Sequence, residues 1–142
     1  MTQDGPDAAS CPCGLPATYD DCCGRFHRGN AKAPTAERLM RSRYAAFCVQ
    51  DEAYLLHTWH PSTRPPHIDF DETLRWQRLE VLGTSGGSYL DTDGTVRFRA
   101  HYLLRNRPGH MEEHSRFVLQ DGAWLYVGPL ASTPLFGSGS RP

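Results

Sequence analysis

The chain is most easily bounded by what it does not contain. None of its 142 residues fall in a stretch approaching the ~20 apolar residues of a membrane span. Its opening, MTQDGPDAAS, has neither a basic start nor an apolar run, so no secretory signal is expected there. Charge of one sign is also missing. The formal net charge is −1, which demands neither a nucleic-acid nor a membrane partner. There is no phosphate-binding glycine loop, no nucleophile elbow, no two-histidine zinc-protease motif and no internal repeat. No cysteine follows Cys48. What remains is an ordinary globular composition, 39% hydrophobic and 22% charged, sufficient for one domain with its own core. A cytoplasmic location is expected, where thiols stay reduced and clustered cysteines favour metal over disulfide chemistry.

Four of the five cysteines crowd into one short segment. Cys11-Pro-Cys13, eight residues, then Cys22-Cys23 makes two tight pairs joined by a loop containing Gly14 and Pro16. Zinc takes four soft ligands at tetrahedral corners, and two such pairs can supply them. Four thiolates leave no coordination position for water, so the expected zinc is structural rather than catalytic. Two disulfides are the alternative, disfavoured by the reducing compartment. His27 is a candidate replacement for one thiolate. Cys48, on the apolar face of a helix, reads as a small buried hydrophobe. The knuckle occupies 11–24 and is expected to be semi-independent, since it has almost no apolar residue besides Leu15 and metal binding would supply its folding energy.

Behind the knuckle, residues 25–34 read as a polar, basic linker. Thr35 is a helix N-cap with Glu37 in the first turn, and Met40, Tyr44, Phe47 and Cys48 share one helical face. Asp51 caps a second helix holding Tyr54, Leu55 and Trp59, ended by Pro61. Phe70 to Trp76 suggests a short third helix. Beyond Trp76 the period falls to that of strands. Ser85-Gly86-Gly87 marks a turn or bulge, Asn106-Arg107-Pro108-Gly109 a break, and Asp121-Gly122 a hairpin turn. Residues 1–10 and 130–142 read as flexible tails. The class is α+β: helices covering one face of an antiparallel meander.

The turns imply a register. A two-residue turn at Asp121-Gly122 sets Leu119 against Trp124 and Phe117 against Tyr126. A four-residue turn at 106–109 sets Phe98 against Phe117, Ala100 against Ser115 and Tyr102 against Glu113. One face is then apolar except for Glu113 and Ser115.

Cys11, Pro12, Cys13, Gly14, Tyr19, Cys22, Cys23 and Gly24 resemble the SEC-C zinc motif found at the C-terminus of the secretion ATPase SecA. The lysine-rich contact surface of that element is replaced here by Leu15, Pro16, Ala17, Thr18, Asp20 and Asp21. Further blocks follow in order: Leu39 to Tyr44, Thr58 to Arg64, Glu113 to Phe117, and Trp124 to Tyr126. Together, over about residues 11–128, they resemble the YchJ family of bacterial proteins. The resemblance implies a domain like nuclear transport factor 2 (NTF2) over 35–129, a cone of helices on a strongly curved sheet enclosing a cavity. It implies no biochemical activity.

Glu113 and Ser115 stand out as polar groups on an apolar face. A buried carboxylate must be paired or protonated. Either Glu113 is a structural partner of Arg43 or Arg64, or it is a pocket carboxylate able to act as a base. Tyr44, Trp59, His60, Arg64, Tyr102 and Tyr126 complete the pocket candidates. His101 and His114 are expected opposite each other on the outer face. Two functions fit. One is a binding or adaptor protein, with the knuckle docking a protein partner and the cone holding a small ligand or peptide. The other is a small enzyme using Glu113 or His60 as acid or base. The first is favoured because no complete catalytic constellation is visible.

Overall fold

The structure is a computed structural model that describes residues 10–88 and 90–132. The two ends expected to be flexible therefore lie outside it, apart from Ser10 and residues 130–132. Three helices, α1 (Cys23–His27), α2 (Ala36–Val49) and α3 (Glu52–His57), precede four strands, β1 (Leu74–Gly86), β2 (Asp93–Leu104), β3 (Arg107–Gln120) and β4 (Ala123–Ser132). The strands form one antiparallel sheet in sequential order, which confirms the α+β meander. No helix among the described residues is long and apolar enough to cross a membrane.

Local chemistry accounts for the helix starts. Thr35 accepts from Arg38 N at 3.1 Å, and Asp51 accepts from Tyr54 N at 3.1 Å. α2 ends at Gln50, whose left-handed φ of 59° closes the helix. It then lies across the sheet, with Leu39, Met40 and Tyr44 packed on Val96, Ala100, Phe117 and Trp124. At its start, Ala36 N donates to Gly87 O at 2.9 Å, tying helix to sheet. The chain crosses itself closely there: a Cβ on Gly94 would lie 2.5 Å from Gly87 Cα, so only glycine fits.

Four expectations are corrected. The third helix does not form. Leu74 to Trp76 instead pair with Leu104 to Tyr102, and Asp71 turns the chain by accepting from Thr73 N at 2.8 Å. So short a segment gains little from helix nucleation, whereas pairing satisfies its backbone at once. The β2–β3 turn is two residues, Arg105-Asn106, with φ of 51° and 68°, the primed geometry favoured in tight hairpins. Pro108 stays in β3 because it lies before Glu113, where β4 pairing begins, so among the described residues it has a neighbouring strand on one side only. The shorter turn pairs Phe98 with Glu113 and Tyr102 with Gly109, instead of Phe117 and Glu113. The partner shifts by an even number of residues, so each side chain keeps its face. The third correction is that β4 extends to Ser132, so residues 130–132 are strand.

The fourth concerns the linker. Residues 23–27 form α1, and Phe26 is buried with Ala46, Tyr54 and Leu55. The cysteines bury against Ala45 of α2. Two consecutive alanines with no exposed surface let the knuckle and α1 approach the helix closely. The knuckle packs directly on α2.

Candidate metal centre and a polar-floored cavity

Cys11, Cys13, Cys22 and Cys23 are all buried, and their sulfurs all lie within 4.8 Å of one another. Cys13 and Cys22 sulfurs are 3.7 Å apart. Zinc–sulfur bonds of ~2.3 Å at tetrahedral angles require sulfurs ~3.8 Å apart, so the donor set fits that ion. None of the five cysteines is disulfide-bonded. The loop is shaped by Cys11 N donating to Ala17 O at 2.8 Å and Gly24 N donating to Tyr19 O at 2.8 Å. A Cβ on Gly24 would sit 2.7 Å from that same oxygen.

Thiols this close cannot all ionise unaided. Hydrogen bonds from Cys13 and Cys23 draw the negative charge onto Cys11, lowering its pKa, while the same bonds push Cys13 and Cys23 up. A divalent cation offsets that repulsion. α2 adds positive charge: Arg38 Nη2 lies 3.8 Å from Cys22 Sγ, and Arg41 Nη1 donates to Cys13 O at 2.8 Å. His27 is not in the cluster. Its Nε2 donates to Ser42 O at 2.9 Å and its Nδ1 meets Tyr19 OH at 2.6 Å, so it fastens the knuckle to α2.

A cavity of about 270 Å³ opens between α2 and the sheet. Tyr44, Trp59, Glu113, Ser115 and Tyr126, expected from the sequence, line it. So do Arg43, Phe47, Trp76, Phe98 and Phe117. Trp59 reaches it because the chain after α3 pairs with β4. Tyr126 N donates to Thr58 O and His60 N to Tyr126 O, both at 2.8 Å.

Glu113 Oε2 accepts from Ser115 Oγ and from Tyr126 OH, each at 2.6 Å. Arg43 is 6% exposed, and its guanidinium lies against both Trp59 and Tyr126, 4.8 and 4.5 Å from the ring centres, while the two rings meet edge to face with centres 5.1 Å apart. Its Nη1 donates to Leu55 O and Thr58 Oγ1, both at 2.8 Å. Among the described residues Arg43 and Glu113 form no ion pair within 4.0 Å. Burial lowers the Arg43 pKa to about 10. Burial likewise raises the hydroxyls of Tyr44 and Tyr126.

The other candidates lie elsewhere. Tyr102 packs on Trp76, with ring centres 5.9 Å apart, and is paired with Gly109 rather than Glu113. His60 bonds Ser62 and Gln120 outside the cavity. Arg64 donates to Trp59 O at 3.2 and 3.1 Å. His101 faces His110, not His114, and contacts Glu80 at 2.6 Å. Cys48 borders an outer groove, and burial pushes its thiol up to about 11, away from nucleophile chemistry. Arg43, expected from the sequence as a partner for Glu113, is itself a lining residue. Its signal as a site residue was its place among Met40, Tyr44 and Phe47 at helical spacing, a charge on an apolar stripe.

A tetra-cysteine knuckle docked on an NTF2-like domain defines this as a SEC-C motif protein of the NTF2-like class. Residues 35–129 match the family model described as the YchJ middle NTF2-like domain, and the chain belongs to the YchJ family. A UPF0225 protein of Streptomyces avermitilis is 60% identical, covering 86% of this chain and 84% of that one. Another, from Streptomyces coelicolor, is 57% identical over 82% and 91%. The solution structure of a SEC-C motif containing protein from Rhodopseudomonas palustris matches with a TM-score of 0.71 at 34% identity, covering 85% of this chain and 97% of that one. A crystal structure of a SEC-C motif protein from Psychrobacter arcticus has a TM-score of 0.73 at 25% identity, covering 96% and 94%.

Proposed function

We propose that the protein is a zinc-knuckle binding protein whose cone holds a small, largely apolar ligand. The observation that carries this reading is the state of Glu113. A purely structural carboxylate would be closed onto an arginine with no space beside it. Glu113 is instead held by two hydroxyls, without an ion pair among the described residues, at the wall of an aromatic cavity. A few placed polar groups in an apolar concavity is the usual composition of a ligand site. No histidine among those described lines the cavity, so the acid–base enzyme reading gains nothing from it.

In this proposal Cys11, Cys13, Cys22 and Cys23 hold one zinc, which serves structure because all four positions are taken. The knuckle is a rigid surface for a protein partner. Cytoplasmic residence belongs to the same proposal, since the cluster requires reduced thiols. Native mass spectrometry of the purified protein tests the ligand reading: an adduct beyond zinc, lost when Phe98 is replaced by a charged residue, is expected. An adduct-free spectrum together with no response to any small apolar probe would overturn it.

A further inference from the structure

The cavity floor carries more information than its size, because its polar atoms are half used. Glu113 spends Oε2 on Ser115 and Tyr126, and Oε1 takes no hydrogen bond among the described residues. Arg43 spends Nη1 on Leu55 O and Thr58 Oγ1. Its Nε and Nη2 take none there and are not among the buried unpartnered atoms, and Arg43 lines the cavity. Both side chains are fixed by the same ring: the carboxylate binds the Tyr126 hydroxyl and the guanidinium lies on its face. The pair is thus held close but separated by more than 4.0 Å among the described residues. One side of the gap offers N–H donors and the other an acceptor.

A free carboxylate entering this gap would satisfy Arg43 but face Glu113. An ammonium would satisfy Glu113 but face Arg43. A neutral group with a carbonyl oxygen beside an N–H satisfies both, and it spares the cost of burying a further charge. Resting on the pocket reading above, we propose that the ligand carries a planar amide-type head, its carbonyl on Arg43 and its N–H on Glu113, with a small apolar body among the aromatic walls. A water's share of liquid volume is ~30 Å³, so the cavity admits a body on the order of ten non-hydrogen atoms.

Four probes of similar size separate the alternatives: benzamide, benzoate, benzylamine and toluene, titrated into the zinc-loaded full chain and followed by tryptophan fluorescence and amide NMR shifts. Benzamide is expected to bind about tenfold tighter than each of the others, the size of effect expected for unpaired buried polar groups. In Glu113→Gln the side-chain oxygen keeps the Ser115 and Tyr126 bonds and an NH₂ group turns to the cavity. That variant is expected to reverse the order, favouring benzoate over benzamide. Tightest binding of benzoate or benzylamine to the unaltered protein overturns the proposal, because one charge alone then governs. Toluene matching benzamide also overturns it while leaving the apolar pocket intact. No shift with any probe, toluene included, removes the pocket reading itself. If Glu113→Gln fails to fold, the ranking in the unaltered protein decides alone.

Discussion

Arg43 and Glu113 meet on one tyrosine: Tyr126 carries the guanidinium on its ring face, 4.5 Å from the centre, and donates its hydroxyl to the carboxylate at 2.6 Å. The two charges are coupled through that ring without direct contact among the described residues. Each can therefore be changed without stranding the other as the broken half of an ion pair.

Glu113→Gln is accordingly expected to fold and to lose only ~1 kcal/mol, the difference between a charged and a neutral acceptor for two hydroxyls. Urea melts check this. A loss of ~3 kcal/mol or more would mark a buried ion pair instead.

Arg43→Met should be costlier. It removes the donor that Leu55 O and Thr58 Oγ1 have from outside α3 and its cap among the described residues, and it removes the guanidinium packed against Trp59 and Tyr126. A destabilisation of ~2–3 kcal/mol is expected from the unpaired acceptors and lost packing. A melt unchanged from that of the unaltered protein would contradict the packing described.

Metal removal is expected to destabilise the whole domain. The cysteines share a buried cluster with Ala45, and Arg41 and His27 bond across the same seam. Elemental analysis should find one zinc per chain, and a chelator should lower the main thermal transition by more than ~5 °C, since ~1 kcal/mol is worth several degrees at this size. An unmoved transition would restore the semi-independent knuckle.

Ala45→Leu probes that seam from the helix side. Leucine is a good helix former, so propensity does not confuse the result. Ala45 has no exposed surface, and overpacking there should cost ~1–3 kcal/mol and speed zinc loss to a chromogenic chelator. Zinc release at the unaltered rate would show that the seam yields freely.

Alkaline pH should expose the buried tyrosines. Burial raises Tyr54 to about 12, and it raises Tyr44 and Tyr126 as well. The unfolded chain releases these protons near ~10, so their stabilising contribution is whole below that pH and is lost as pH climbs toward 12. Arg43, lowered to about 10, acts in the opposite sense and only partly offsets them. Phenolate absorbance should lag behind that of free tyrosine and then rise together with loss of circular dichroism. Ionisation of Tyr44, Tyr54 and Tyr126 in a chain that keeps its circular dichroism would contradict the burial that raises them.

The sequence by itself determined the local and periodic features. Cysteine spacing picked out the knuckle because tetrahedral thiolate coordination needs pairs close in the chain. Thr35 and Asp51 announced their helices because capping is a contact between residues three apart. Face assignment on the strands held because alternation depends only on parity: the β2–β3 register moved, yet Glu113, Ser115 and Phe117 kept the cavity side. Only the tertiary structure decided which turn formed at 105–109, because Asn106 and Pro108-Gly109 were competing signals, and pairing along the whole hairpin settled between them. It alone put Tyr102 beside Gly109 and brought Arg43, Trp59 and Tyr126 into one cluster from α2, the segment after α3, and β4. Such contacts join residues far apart in the chain, and no local pattern encodes the distance between a guanidinium and a carboxylate. The docking of the knuckle was hidden for the same reason: Ala45 and Ala46 look like ordinary helix formers until the packed chain shows what their small size admits.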